Sequence, residues 1–131
     1  MKQLLLDIQP APLPTLDNFV VGRNAEALHS LRLAANGNTD AYFIYLWGAS
    51  GSGKSHLLSA CEEIGARVVD DVHLLNQDAQ IELFNTYNQL KDSGGVLIAS
   101  GIAAPTQMNL RDDLATRLAW GLVYQLHPLS D

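Results

Sequence analysis

The stretch Tyr42-Phe43-Ile44-Tyr45-Leu46-Trp47, followed at once by Gly48-Ala49-Ser50-Gly51-Ser52-Gly53-Lys54-Ser55, decides the fold of this chain. Six consecutive apolar residues, mostly aromatic or branched, predict a strand buried on both faces, as in parallel sheets. The eight residues behind it complete the pattern G-x-x-x-x-G-K-[ST]. Glycines let backbone N–H groups close around phosphate oxygens, the lysine brings a mobile positive charge, and the hydroxyl after it suits a magnesium ion at a helix N-terminus. Gly48, Ser50, Gly51, Ser52, Gly53, Lys54 and Ser55 are therefore the candidate phosphate residues, with His56 next in line grouped beside them.

A phosphate loop of this kind needs a second strand that delivers a carboxylate to the metal. Arg67-Val68-Val69 predicts a short buried strand, and it ends on Asp70-Asp71. Asp70 is expected to act on magnesium through water, and Asp71 to orient or deprotonate an attacking water. Fifteen residues lie between Lys54 and Asp70. That is space for one helix and a tight return to the sheet, since a crossover needs only about a dozen residues.

Outward from this centre, strand and helix patterns alternate. Asn24 is a candidate N-cap for a helix over Ala25–Ala35, with Ala27, Leu28, Leu31 and Ala34 on one side and Asn36-Gly37 behind it. Lys54–Ile64 carries Leu57, Leu58, Cys61 and Ile64 at helical spacing and stops at Gly65. Asp78–Lys91 predicts a helix in which Ile81, Phe84, Tyr87 and Leu90 recur at three-residue spacing with Leu83 beside them, Asn85 and Asn88 facing water and Gly94-Gly95 as its stop. Val96–Ser100 is a third strand, Asp112–Leu118 a short helix, and Leu122–Leu126 a fourth strand. The alternation predicts an α/β fold: a parallel sheet with helices on both faces.

Composition narrows the class. With 131 residues the chain forms one small domain, preceded by an extended arm over residues 1–15 in which Pro10, Pro12 and Pro14 remove backbone donors. Residues 16–131 then form the phosphate-binding unit. No apolar run approaches the roughly 20 residues that span a bilayer, and Met1–Asp7 is too short and too early in its acid for a secretory signal. The lone Cys61 forms no internal disulfide, which fits a cytoplasmic protein. A net charge of −6 argues against a broad nucleic-acid surface, because such affinity comes from neutralised phosphates. His56 and His73 have no metal-site spacing, and Trp47 and Trp120 read as core or interface residues.

Four segments in order carry a family resemblance: Leu16-Asp17-Asn18-Phe19-Val20-Val21-Gly22-Arg23-Asn24, Gly53-Lys54-Ser55-His56-Leu57, Val69-Asp70-Asp71-Val72-His73 and Leu114-Ala115-Thr116-Arg117-Leu118-Ala119-Trp120-Gly121. The chain resembles the AAA+ domain of the bacterial replication initiator DnaA and of its regulatory homologues. The resemblance implies ADP or ATP with Mg2+ as ligands, and it places Phe19, Val20, Val21 and Gly22 near the adenine, Lys54 and Ser55 at the phosphates, and Ser55, Asp70 and Asp71 at the metal. Arg117 matches the arginine finger that one subunit offers to the nucleotide of its neighbour. Gln3-Leu4-Leu5-Leu6-Asp7 resembles a short clamp-binding motif, with Gln3, Leu4 and Leu6 as anchors for the DNA polymerase sliding clamp.

The partners implied are DnaA and the clamp, with self-association into a homo-oligomer left open, no membrane and no direct sequence-specific DNA binding. The resemblance implies a regulator that promotes hydrolysis of DnaA-bound ATP. The alternatives are a self-contained AAA+ ATPase or an initiator-domain fragment, a small phosphate-loop kinase, and a nucleotide-dead remnant. Three departures separate the chain from that family. A strand and helix of roughly 30 residues are missing between the loop and the paired acids, where Gly65-Ala66-Arg67 runs directly on. Gly101 stands where the family places a polar sensor, with Ser100 as a partial substitute. Relatives continue beyond Pro128-Leu129-Ser130-Asp131 into a helical lid with a second sensor arginine, and autonomous origin recognition is not expected of this polypeptide.

Overall fold

The computed structural model describes residues 14–17, 19, 21–37, 43–49 and 52–128. Helix α1 (Ala25–Ala35) leads to strand β1 (Phe43–Trp47), helix α2 (Lys54–Glu63) and strand β2 (Arg67–Val69). A single 3-10 turn over Val72–Leu74 precedes helix α3 (Gln77–Ser93), strand β3 (Leu97–Gly101), a second such turn over Pro105–Gln107, helix α4 (Asp112–Trp120) and strand β4 (Leu122–Gln125). The four strands form one sheet in the order β2-β3-β1-β4, and each pairing is parallel. Tyr45 stands opposite Ala99 on one side and Val123 on the other.

The alternation of β1 divides the core into two layers. Ile44 and Leu46 face α1 and α2, packing with Leu28, Leu31, Leu57, Leu58, Cys61 and Ile98. Phe43 and Tyr45 face the other way, with Leu83 and Tyr87 of α3, Leu114 and Leu118 of α4, and Leu97 and Ala99 of β3. Both faces of the central strand are sealed, which is why its sequence is apolar throughout rather than alternating. Each fully buried Leu, Ile or Phe contributes about 1.5 to 3 kcal/mol by leaving water.

Several expectations are corrected. Asn24 precedes α1 but its side chain makes no cap. Its Nδ2 donates to the His127 carbonyl at 2.9 Å and its Oδ1 accepts the His127 N–H at 2.7 Å, so it joins the start of α1 to the chain beyond β4. Ile64 lies beyond the end of α2 and is 53% exposed. Strand β2 is only half-buried, with Arg67 exposed, because it is the edge of the sheet. On α3 the buried residues are Gln80, Leu83 and Tyr87, while Ile81 faces outward.

The α3 correction follows from helix geometry. Residues three apart advance about 300°, so a strict three-residue series winds around the cylinder instead of staying on one face. The 80-83-87 series, with steps of three and four, holds the inward face. Gln80 is buried because both ends of its amide are used: Nε2 donates to the Leu75 carbonyl at 3.0 Å, and Oε1 accepts the Arg111 N–H at 2.8 Å. Asn76 caps α3 by accepting the Ala79 N–H at 2.8 Å, and Gly94 closes it with φ +83°.

Candidate phosphate-binding site

All four strands run parallel, so their C-terminal ends lie along one edge of the sheet, where ligands of open α/β sheets bind. β1 leaves this edge into the loop from Gly48 to Gly53, β2 into Asp70-Asp71, and β3 ends on Ser100-Gly101. Gly48 is needed for close packing: a Cβ there would stand 2.6 Å from the Leu126 carbonyl oxygen and 3.1 Å from Ser52 Oγ. Ser50 and Gly51 lie outside the described residues, as do Val20 and the proposed clamp anchors Gln3, Leu4 and Leu6.

The loop turns into α2 at Gly53, whose φ of +96° lies in the left-handed region open to glycine. Lys54 is 8% exposed, and its ammonium donates to the carbonyls of Gly48 at 2.5 Å and Ala49 at 3.1 Å. The charge is thus held inside the loop rather than in solvent. Ser52 is also buried, and its hydroxyl has no hydrogen-bond partner among the described residues. An orphaned buried hydroxyl beside an enclosed ammonium suits a phosphate oxygen, which would satisfy both.

Across the strand ends, Ser55 Oγ donates to Asp70 Oδ2 at 3.0 Å. Ser100, fully buried on β3, donates to the other carboxylate oxygen, Oδ1, and accepts the Asp71 N–H at 3.0 Å. Asp70 is therefore held from one strand, β3, and one helix, α2. Asp71 has φ 53° and ψ 57°, a left-handed conformation that aspartate tolerates better than most residues. Ser55 and Asp70 present hard oxygen donors on one spot. That set fits magnesium, which takes one or two protein oxygens and completes its shell with phosphate and water. Among the described residues no cluster of three or more His, Cys, Asp or Glu forms a separate metal site.

The position after Ser100 has a structural explanation. The Tyr45 hydroxyl donates to the Ala103 carbonyl at 2.7 Å and lies 3.4 Å from Met108 Sδ. It fills the place where a Cβ on Gly101 would be, so a side chain cannot enter there without moving Tyr45. Burial pushes the Tyr45 phenol well above its ordinary titration range. Ser100 points to the opposite face of β3, and it reaches the acids directly.

Phe19 is buried against Gly53 and stacks at a tilt on His56, with ring centroids 5.4 Å apart. Val21 is half-buried against the same core and Gly22 is exposed with φ 50°. His56 Nε2 lies 2.8 Å from the Thr15 carbonyl. Because a carbonyl only accepts, that nitrogen carries the proton. Arg117 stands on α4 in the layer opposite α2, its guanidinium 4.2 Å from the Trp120 ring centroid and 5.4 Å from that of Phe84. Trp120 is 64% exposed, so it belongs to the surface and not the core. The Tyr45–Gly101 and Phe19–Gly53 contacts were not signalled by any motif; both join residues distant in sequence.

Residues 61–125 match the bacterial DnaA ATPase domain family. Domain III of the replication initiation protein DnaA from Thermotoga maritima is similar in structure with a TM-score of 0.79 at 26% identity, over 93% of this chain and 70% of that one. AMPPCP-bound DnaA from Aquifex aeolicus gives a TM-score of 0.78 at 24% identity over 89% of this chain, which shows a shared fold. This chain spans about half of that one, 51%. Protein NMB1076 from Neisseria meningitidis, known from a solution structure, is 31% identical with a TM-score of 0.53, over 92% of this chain and 95% of its own. Among the described residues no helix is long and apolar enough to cross a membrane.

Proposed function

Taking as premise that this chain is a DnaA-like AAA+ protein, of one family with the Neisseria protein NMB1076, we propose that it binds ADP or ATP with magnesium and acts as a regulator of replication initiation. The observation that carries the nucleotide reading is the convergence of Ser55 and Asp70 at 3.0 Å beside the enclosed Lys54. Two motifs fifteen residues apart in sequence meet at one edge of the sheet.

On this reading Lys54 exchanges a loop carbonyl for phosphate oxygens, Ser52 gives its hydroxyl to a phosphate, and Ser55 and Asp70 hold magnesium. When bound, magnesium neutralises charge on the phosphates and fixes their geometry. Ser100 fixes the Asp70 carboxylate, and Asp71 orients a water. The adenine end of the site would involve the segment that follows Phe19, with Val20, Val21 and Gly22.

The finer part of the proposal is the role of Hda, the DnaA-like regulator: residues 3–7 dock on the sliding clamp, and Arg117 reaches ATP held by DnaA. Support comes from the placement of Arg117. It is rooted on the sheet face opposite α2, has no carboxylate partner among the described residues, and its guanidinium is steadied over two aromatic rings. A cation held this way is positioned without being neutralised. Such an arginine supplied in trans accelerates hydrolysis by about 10³ to 10⁵.

The test is hydrolysis of DnaA-bound ATP in the presence of this protein and clamp loaded on DNA, each component also omitted singly. Stimulation should require all components and should disappear in Arg117→Ala, while that variant still binds ADP. Full stimulation by Arg117→Ala would remove the finger from the mechanism. Hydrolysis by the chain alone would favour a self-contained ATPase.

A further inference from the structure

We infer that Phe19 is a positioning residue for the phosphate loop, setting the turn at Gly53, rather than a surface for the base; the inference rests on the nucleotide reading above. The ring lies directly on the glycine. A Cβ at Gly53 would be 2.7 Å from Phe19 Cε1, 3.3 Å from Cζ and 3.8 Å from Cδ1. Gly53 is also the residue whose carbonyl accepts the Leu57 N–H at 3.1 Å, one of the opening hydrogen bonds of α2. Its left-handed φ of +96° turns the loop into that helix.

Phe19 therefore buttresses the backbone from which Lys54 and Ser55 project. The ring is 8% exposed and packs in the layer formed by α1 and α2, with Leu28, Leu31, Leu57 and Leu58. Little of its face is left for a stacked base, since a stacking platform must be open on one side. His56 completes the arrangement. Its ring meets Phe19 at 5.4 Å, and its Nε2–H donates to the Thr15 carbonyl, which ties the segment carrying Phe19 to the first turn of α2. Thr15, Phe19, Gly53 and the first turn of α2 are thereby packed together, and what Phe19 controls is phosphate geometry common to every nucleotide.

The two roles predict different ligand profiles. Wild type, Phe19→Leu and Phe19→Ala are titrated with ADP, GDP and inorganic pyrophosphate in the presence of magnesium, with circular dichroism run on each variant. The expected result for Phe19→Ala is the same loss for all three ligands, about tenfold, which corresponds to the loss of one charge-assisted contact. The ADP to GDP ratio should stay at its wild-type value. Phe19→Leu, which keeps apolar bulk on Gly53 but offers no aromatic face, should retain most of the affinity for every ligand.

If Phe19 contacts the base, Phe19→Leu loses ADP affinity and the ADP to GDP preference while pyrophosphate binding is unchanged, and the inference is overturned. Phe19→Leu decides the matter even where Phe19→Ala does not fold. A wild-type chain that binds pyrophosphate without binding either nucleotide overturns the nucleotide reading alone, and the inference then stands or falls on the pyrophosphate loss in the variants. A wild-type chain that binds none of the three overturns both.

Discussion

Placing a methyl group on Gly101 should be costly, and removing one oxygen from Tyr45 should make it much less so. The reason is local. A Cβ at Gly101 would overlap the Tyr45 hydroxyl and stand 3.1 Å from both Tyr45 Cζ and Met108 Sδ. Tyr45 is fully buried on the central strand, and its hydroxyl donates to the Ala103 carbonyl at 2.7 Å, so it cannot step aside without losing that bond. Overpacking costs about 1 to 3 kcal/mol, and a buried donor left without a partner costs about 1 to 3 kcal/mol more. Gly101→Ala is therefore expected to destabilise by about 3 kcal/mol. Tyr45→Phe alone should cost about 1 kcal/mol, the net value of a typical hydrogen bond. In the double variant the methyl faces only the 3.1 Å contacts, and the total should be about 2 kcal/mol rather than 4. Urea unfolding of the four proteins measures the coupling, expected near 2 kcal/mol. Costs that add within about 0.5 kcal/mol would refute the explanation of the glycine.

Asn24→Ala removes both bonds to His127 and should destabilise by about 2 to 4 kcal/mol, and Asn24→Ser should not restore it. Recovery with serine in the same urea experiment would mean that Asn24 acts as a helix cap after all. Asp70→Asn keeps the shape that meets Ser55 and Ser100 but removes the charge, so magnesium should no longer strengthen ADP binding; calorimetry with and without chelator reads this. Burial pushes the Cys61 thiol up to about 11, and a thiol raised in the folded state contributes stability below its unfolded value and loses it as pH rises through the folded one. Stability should then fall by about 2 kcal/mol between roughly pH 9 and pH 11, less so in Cys61→Ala, and the native thiol should react slowly with alkylating reagents near pH 8. The Tyr45 phenol, also raised by burial, shifts in the same direction above about pH 10, so Tyr45→Phe serves as the control.

The layered parallel sheet was legible because both of its signals are local. A continuous apolar run marks a strand covered on both faces, and Gly37, Gly65 and Gly94 mark the ends of helices with positive φ in each case. The meeting of Lys54, Ser55 and Asp70 was legible for another reason: each motif requires a fixed place at the strand ends. What escaped the sequence depends on distant partners. Asn24 looks like a cap until His127, 103 residues away, is seen to take both ends of its amide. Gln80 looks like a surface residue until Leu75 and Arg111 satisfy it. Gly101 looks like a lost side chain until Tyr45 is found in its place.

The short link between the loop and the acids also acquires a physical meaning. Ile64-Gly65-Ala66 is sufficient to make the tight return from α2 to β2, because Gly65 adopts φ +97° and Ala66 N–H bonds back to the Cys61 carbonyl at 3.0 Å. β2 then pairs with β3 and not with β1, so the sheet keeps β1 and β3 in its centre and loses nothing between the phosphate loop and Asp70. The consequence falls on the outer edge. β2 is three residues long and begins with the exposed Arg67, two features that discourage pairing with another chain's strand. The Neisseria protein matches over 95% of its own length and 92% of this chain, so the two chains are of about equal length. A stretch that is dispensable for bringing Ser55 to Asp70 can be absent while that pair still meets. Its absence instead leaves one edge of the sheet ending in a short, charged strand.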